Sequence, residues 1–159
     1  MAAYNKFNQF VQDVCQGLHV IKTAAGNTYK LGLTNTSPNA ADTVVDNSTP
    51  PAVVKSTSNA TELSTDSGYT AGGTSIGAPT TASQTTGTFT MAANQVVWTS
   101  SGTIGPFRYV FLWNDSTATS ATRPPVAWWD YGSSITLNNG ETFTVQFNSA
   151  NPGTIFTMA

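Results

Sequence analysis

Charge is scarce in this chain. Only 9% of its 159 residues are Asp, Glu, Lys or Arg, against about a quarter in ordinary soluble domains. The six basic residues, Lys6, Lys22, Lys30, Lys55, Arg108 and Arg123, lie far apart, and the net charge is -2. No basic run is present to neutralise phosphates, so nucleic acid is not an expected partner. A single cysteine, Cys15, excludes an intrachain disulfide, and cysteine spacing of the metal-binding kind is absent. Cys15 reads as a small apolar residue on a helix face. No apolar run approaches the ~18 residues needed to cross a bilayer. The first residues carry no basic region followed by a long apolar stretch, so neither a membrane partner nor an ordinary signal peptide is expected.

What is present suits one folded domain over residues 1–159. Apolar residues make up 39% of the chain, enough for a real core at this length and too many for a disordered chain. Thr, Ser, Asn and Gly stand where charges would otherwise be. A surface of that kind hydrogen-bonds well and repels neighbours weakly, which favours dense packing against other protein surfaces. Secreted lectins and fibre proteins share the same style.

Apolar periodicity divides the chain. In the N-terminal segment, 1–21, Phe7, Phe10, Val11, Val14 and Leu18 recur at three- and four-residue intervals, which predicts an amphipathic helix over 4–18 that stops near Gly17. Within 22–37, Tyr29-Lys-Leu-Gly-Leu-Thr alternates as a first strand. Residues 38–88 are loop-rich, with short strands expected at Val44-Val45 and Ala52-Val-Val54 and a helical turn at Thr61-Glu-Leu63. So long a stretch reads either as an arm or contact loop or as a surface excursion.

The main strands fall in 89–159. Phe107-Arg-Tyr-Val-Phe-Leu-Trp113 places Phe107, Tyr109, Phe111 and Trp113 on one face and Val110 and Leu112 on the other, as in a central strand buried twice. Ser134–Leu137 and Glu141–Phe147 flank Asn138-Asn139-Gly140, whose residues suit a hairpin turn. Roughly seven to nine strands result, predicting an all-β fold: a β-sandwich or jelly-roll-like core with an N-terminal amphipathic α-helix.

Catalytic chemistry has few places to reside. His19 is the only histidine and follows the predicted helix, which suggests a surface or capping role. Among eight carboxylates, Asp130 and Glu141 are the pair to test for glycoside hydrolysis, because both fall on predicted strands near aromatics. Asp42 and Asp46 match no calcium-loop spacing. Gly68-Tyr-Thr-Ala-Gly-Gly73 lacks the Gly-Lys-Ser/Thr ending of a phosphate loop and reads as a tight backbone path at a turn. Trp128-Trp129 is the main binding feature. Neighbouring strand residues face opposite ways, so one indole fills the core while the other reaches the surface to stack on a sugar or anchor a protein, or both are buried. No catalytic residue, cofactor or metal is expected.

Several segments carry a family likeness. Ala3-Tyr-Asn-Lys-Phe-Asn-Gln-Phe-Val-Gln-Asp, Tyr29-Lys-Leu-Gly-Leu-Thr-Asn-Thr-Ser-Pro38 and Gly68-Tyr-Thr-Ala-Gly-Gly73 resemble small virion proteins of tailed bacteriophages. So do Gly102-Thr-Ile-Gly-Pro-Phe-Arg-Tyr-Val-Phe-Leu-Trp-Asn-Asp115 and Trp129-Asp-Tyr-Gly-Ser-Ser-Ile-Thr-Leu-Asn-Asn-Gly-Glu-Thr-Phe-Thr-Val145. The resemblance implies a non-enzymatic capsid decoration, or cement, protein on the virion exterior, made in the host bacterial cytoplasm. Its expected partners are the major capsid protein and further copies of itself, a trimer before other homo-oligomers. Phe7, Phe10, Val11, Val14, Trp128 and Trp129 are the candidate contact residues, together with the 38–88 loops. A tail or fibre component is the alternative of the same kind, and a carbohydrate-binding module the alternative of another.

Overall fold

The expectation of an all-β chain is met. A computed structural model describes residues 2–116 and 119–159. Among them run β1 (Tyr4–Lys6), α1 (Asn8–Cys15), β2 (Tyr29–Thr34), β3 (Val44–Asp46), β4 (Val53–Lys55), β5 (Ala60–Thr61) and β6 (Thr74–Gly77). After these come β7 (Thr81–Thr85), β8 (Thr88–Ala93), β9 (Val96–Thr99), β10 (Ile104–Asn114), β11 (Pro125–Leu137), β12 (Thr142–Val145) and β13 (Gly153–Met158). A five-stranded sheet in the order β1-β11-β10-β2-β6 is accompanied by sheets β12-β9, β13-β8-β7 and β3-β4-β5. Every strand pair is antiparallel.

Apolar residues on both sides of β10 explain its place. It hydrogen-bonds to β11 along one edge and to β2 along the other. Val110 and Leu112 join the larger core with Leu31, Leu33, Met91, Trp98 and Ile155. Phe111 and Trp113 enter a second core with Phe7, Val45, Val54 and Ala60. The main sheet is therefore covered on both faces, by β8, β9 and β13 on one and by β3–β5 on the other. Each of these buried side chains stabilises the fold by about 1.5–3 kcal/mol relative to exposure. Gly32 makes room in the second core: a Cβ there would sit 2.7 Å from the Phe111 ring.

Strict alternation fails at Phe107. That ring lies with Val110 and Leu112 in the larger core and not with Phe111 and Trp113. The pairing register shifts between Phe107 and Tyr109, and such an irregularity turns every side chain before it to the other face.

The N-terminus also departs from the expected helix over 4–18. Tyr4–Lys6 is extended and pairs with Trp129, Trp128 and Ala127 of β11, and the helix begins only at Asn8. An eight-residue helix is marginal alone, and an open edge of β11 offers Tyr4–Lys6 backbone hydrogen bonds that a further helical turn would forfeit. Gly17 acts as the stop, at φ +74°. Its N–H donates to the Val14 carbonyl and the Leu18 N–H to the Asp13 carbonyl, the paired bonds of a Schellman ending.

A second correction concerns residues 134–147. Ser134–Leu137 is not a separate strand but the end of the continuous β11. The turn at Asn138–Glu141 forms, with the Glu141 N–H donating to the Asn138 carbonyl, yet β12 pairs with β9 and not with β11. Gly140 takes φ +84° while Asn139 does not adopt a positive φ. A two-residue hairpin of type I′ needs positive φ at both central positions, so this turn releases the chain to another sheet.

Residues 38–88 hold strands β3 to β7, including the two short strands expected at 44–45 and 52–54. The expected helical turn at Thr61–Leu63 is instead the end of β5, with Glu62 bridging to Thr34. Two buried carboxylates organise this region. Asp42 accepts from the backbone N–H groups of Asn39, Thr57 and Ser58 and from the Ser58 hydroxyl. Glu62 accepts from the N–H groups of Ala52, Gly72 and Gly73 and from the Tyr69 hydroxyl. The glycine-rich stretch 68–73 is thus a tight turn, as expected, wrapped around an internal carboxylate.

Candidate contact surfaces

The six expected contact residues separate into three environments. Phe7 and Phe10 belong to the two cores and are almost wholly buried. Phe7 therefore offers a partner no surface and Phe10 only the floor of a groove, and the reason is local. The strand at Tyr4–Lys6 turns Phe7 inward beside Trp128, at 4.6 Å between ring centroids, and α1 sets Phe10 against His19 and Phe156.

Val11 and Val14 do face a groove. Val11 is 48% exposed and Val14 half-buried. With Cys15 they share one helix face at three- and four-residue spacing. Tyr4 and Lys6 of β1 and Phe156 and Met158 of β13 complete the walls of a groove of about 380 Å³. Among the described residues five large apolar side chains have substantial exposure, and three of them (Tyr4, Val11 and Met158) line it. Sequence periodicity could not find Tyr4, because it placed that residue on the helix, nor Met158, which arrives from the far end of the chain.

Trp128 and Trp129 face opposite ways, and both are half-buried. Trp128 packs on the second core. Trp129 lies between Tyr4 at 5.9 Å and Phe147 at 5.7 Å. Beside it opens a separate cleft of about 220 Å³ between β11, β12 and β13. Tyr131, 55% exposed, stands at this cleft with Phe143, their ring centroids 6.0 Å apart.

Family models, curated proteins and solved structures yield no match to this chain.

The residues considered for catalysis are engaged elsewhere. Asp130 receives a two-pronged ion pair from Arg108, at 2.7 and 2.8 Å, and a bond from the Gly132 N–H. The Arg108 guanidinium holds its carboxyl below the usual range. Glu141 caps its own turn, accepting from the Asn138 N–H and side-chain amide. It precedes β12 and does not lie within it. His19 is buried against Phe10 and Tyr29, where a surface or capping position was expected. Burial pushes its imidazole down to about 4. Among the described residues no three His, Cys, Asp or Glu side chains cluster as a metal site, and no helix is long and apolar enough to cross a membrane.

Proposed function

We propose that this chain is a structural protein of a tailed-bacteriophage particle, a capsid decoration protein that binds the assembled shell from outside and stabilises it. The observation that carries the reading is the groove of Tyr4, Val11, Val14 and Met158. Exposed apolar side chains are gathered there beside a single charge, Lys6. The low charge of the chain as a whole supports close apposition of a partner, and the resemblance of segments 3–13, 102–115 and 129–145 to small virion proteins supports the identity of that partner.

The mechanism is mass action. A protein that binds the assembled shell and not its dissociated subunits shifts the equilibrium toward the shell by the free energy of binding. One groove alone is smaller than the ~1,200–2,000 Å² interface of a stable complex. Assembly into a homo-oligomer, a trimer on this reading, presents several grooves to neighbouring major capsid proteins at once and raises the effective affinity. No catalytic step or cofactor is assigned.

The test is the copy number of this chain in purified particles, measured by quantitative mass spectrometry against the major capsid protein. Near parity, or a simple fraction of it, is the expected result. A few copies per particle would move the chain to the tail or a fibre, and absence from particles would end the reading.

A further inference from the structure

The cleft beside Trp129 differs in chemistry from the groove on α1. Four aromatic side chains, Trp129, Tyr131, Phe143 and Phe147, line it together with aliphatic ones that include Val110, Val145 and Ile155. Four neutral polar side chains, those of Thr144, Gln146, Asn148 and Thr154, line it as well. None of those four makes a side-chain hydrogen bond within the described residues, whereas Asp130 pairs with Arg108, Ser134 with Asn35 and Asn138 with Glu141. Among the described residues no charged side chain lines the cleft.

Aromatic rings set beside unengaged amides and hydroxyls, with no fixed charge, match one ligand chemistry closely. A pyranose ring presents an apolar C–H face that stacks on an aromatic ring and a rim of hydroxyls that both donate and accept. An amide such as that of Gln146 or Asn148 meets a hydroxyl in either sense, which a carboxylate or an ammonium does not. A phosphate, a sulfate or a sialic acid would find no countercharge. The volume of about 220 Å³ falls below the ~300–1,000 Å³ of sites for drug-sized ligands, which suits one sugar residue and not a long oligosaccharide.

Ring-to-ring packing holds the aromatic part of the cleft in place. Trp129 is locked between Tyr4 and Phe147, and Tyr131 stands edge-on to Phe143, so the aromatic surface is formed before any ligand arrives.

We propose that this cleft binds a single uncharged sugar residue, with Tyr131 and Trp129 as the stacking surface and Gln146 and Asn148 as hydroxyl partners. The inference is independent of the particle reading, since copy number and sugar binding are separate measurements.

The test is a screen of the intact protein on an array of neutral, sialylated and sulfated glycans, followed by calorimetric titration of the best neutral monosaccharide or disaccharide. Binding to neutral glycans is expected. Tyr131→Ala and Gln146→Ala, both at exposed positions, should each weaken it by about tenfold or more while the circular dichroism spectrum is unchanged. Val11→Asp, in the other groove, should leave it intact. Silence across the array, preference for charged glycans, or full binding by both cleft variants would overturn the proposal. So would displacement of an apolar dye from the cleft by hydrophobic peptides but not by sugars.

Discussion

The Tyr69 hydroxyl donates to the Glu62 carboxylate at 2.5 Å while accepting from the Leu33 backbone N–H at 3.0 Å. One phenol thereby ties the 62–73 turn to strand β2 of the main sheet. Burial raises the Glu62 carboxyl and the bonds from Tyr69, Ala52, Gly72 and Gly73 oppose that rise. Every donor around it is an N–H or O–H, and those of Ala52, Tyr69 and Gly72 are buried away from water. Tyr69→Phe leaves the Leu33 N–H and a carboxylate oxygen short of a partner and should cost about 2–4 kcal/mol. Glu62→Gln should cost at least about as much, because its amide NH₂ turns a donor toward other donors. Urea denaturation of the two variants measures this. A loss under half a kcal/mol for both would show that the turn is not anchored by this pair.

His19 makes stability depend on pH. Its folded value is near 4 and its ordinary value 6.5, so between these the unfolded chain binds more protons than the folded one. Stability from this residue is therefore complete above pH 6.5 and declines as pH falls toward 4, by up to roughly 3 kcal/mol in all. Asp46 and Asp130, held low by Lys55 and Arg108, act in a lower window, below the ordinary carboxylate value of 3.8. Thermal melts of the native chain and His19→Asn across pH 4 to 7 separate the two. The variant should melt lower at neutral pH and lose the fall in stability that His19 contributes between 6.5 and 4. Asp13 and Glu62, whose carboxyls burial raises, slope the opposite way in both proteins, so identical curve shapes for the two would assign the slope to another group.

Gly32 tests the packing of the second core. Its Cβ would fall 2.7 Å from the Phe111 ring and 3.2 Å from Trp113, two fully buried aromatics with no room to move. Gly32→Ala should destabilise by about 1–3 kcal/mol through overpacking, despite the gain in β-propensity from removing a strand glycine. A neutral or stabilising result would mean that this core holds slack.

What could be read in advance follows from the range of the forces involved. The strand pattern of Phe107–Trp113 was legible because twofold burial leaves apolar residues on both faces, and β10 is indeed central. Its Phe107 face was not, because a bulge depends on the partner strand. The Phe7–Leu18 stripe was legible as an apolar face, but Phe7 and Phe10, read from it as contact residues, lie in the core. It could not reveal that Tyr4–Lys6 prefers the edge of β11, since that competition is settled by a strand more than 120 residues away. Asp42 and Glu62 gave no signal at all: what makes them structural is a ring of backbone N–H groups that only the folded chain assembles. The cleft was half legible, in Trp129, while Tyr131, Phe143 and Asn148 required β11, β12 and the turn after β12 to be brought together.

The groove on α1 yields the sharpest contrast between neighbouring residues. Phe10 is 3% exposed and packs on Phe156, whereas Val11, the next residue, is 48% exposed. Phe10→Ala removes a core ring and should cost about 3–5 kcal/mol, so loss of particle attachment in any Phe10 variant would report unfolding and not contact. Val11→Asp places a charge in the groove without disturbing the core. Its melting temperature should stay within a few degrees of the native value, while attachment to shells lacking the protein should fall by at least about tenfold, as expected when an unpaired charge is pressed into an apolar contact. Sedimentation of shells with added protein measures attachment. Full attachment by Val11→Asp, with its fold intact, would remove this groove from the contact and leave the carrying observation of the decoration reading without force.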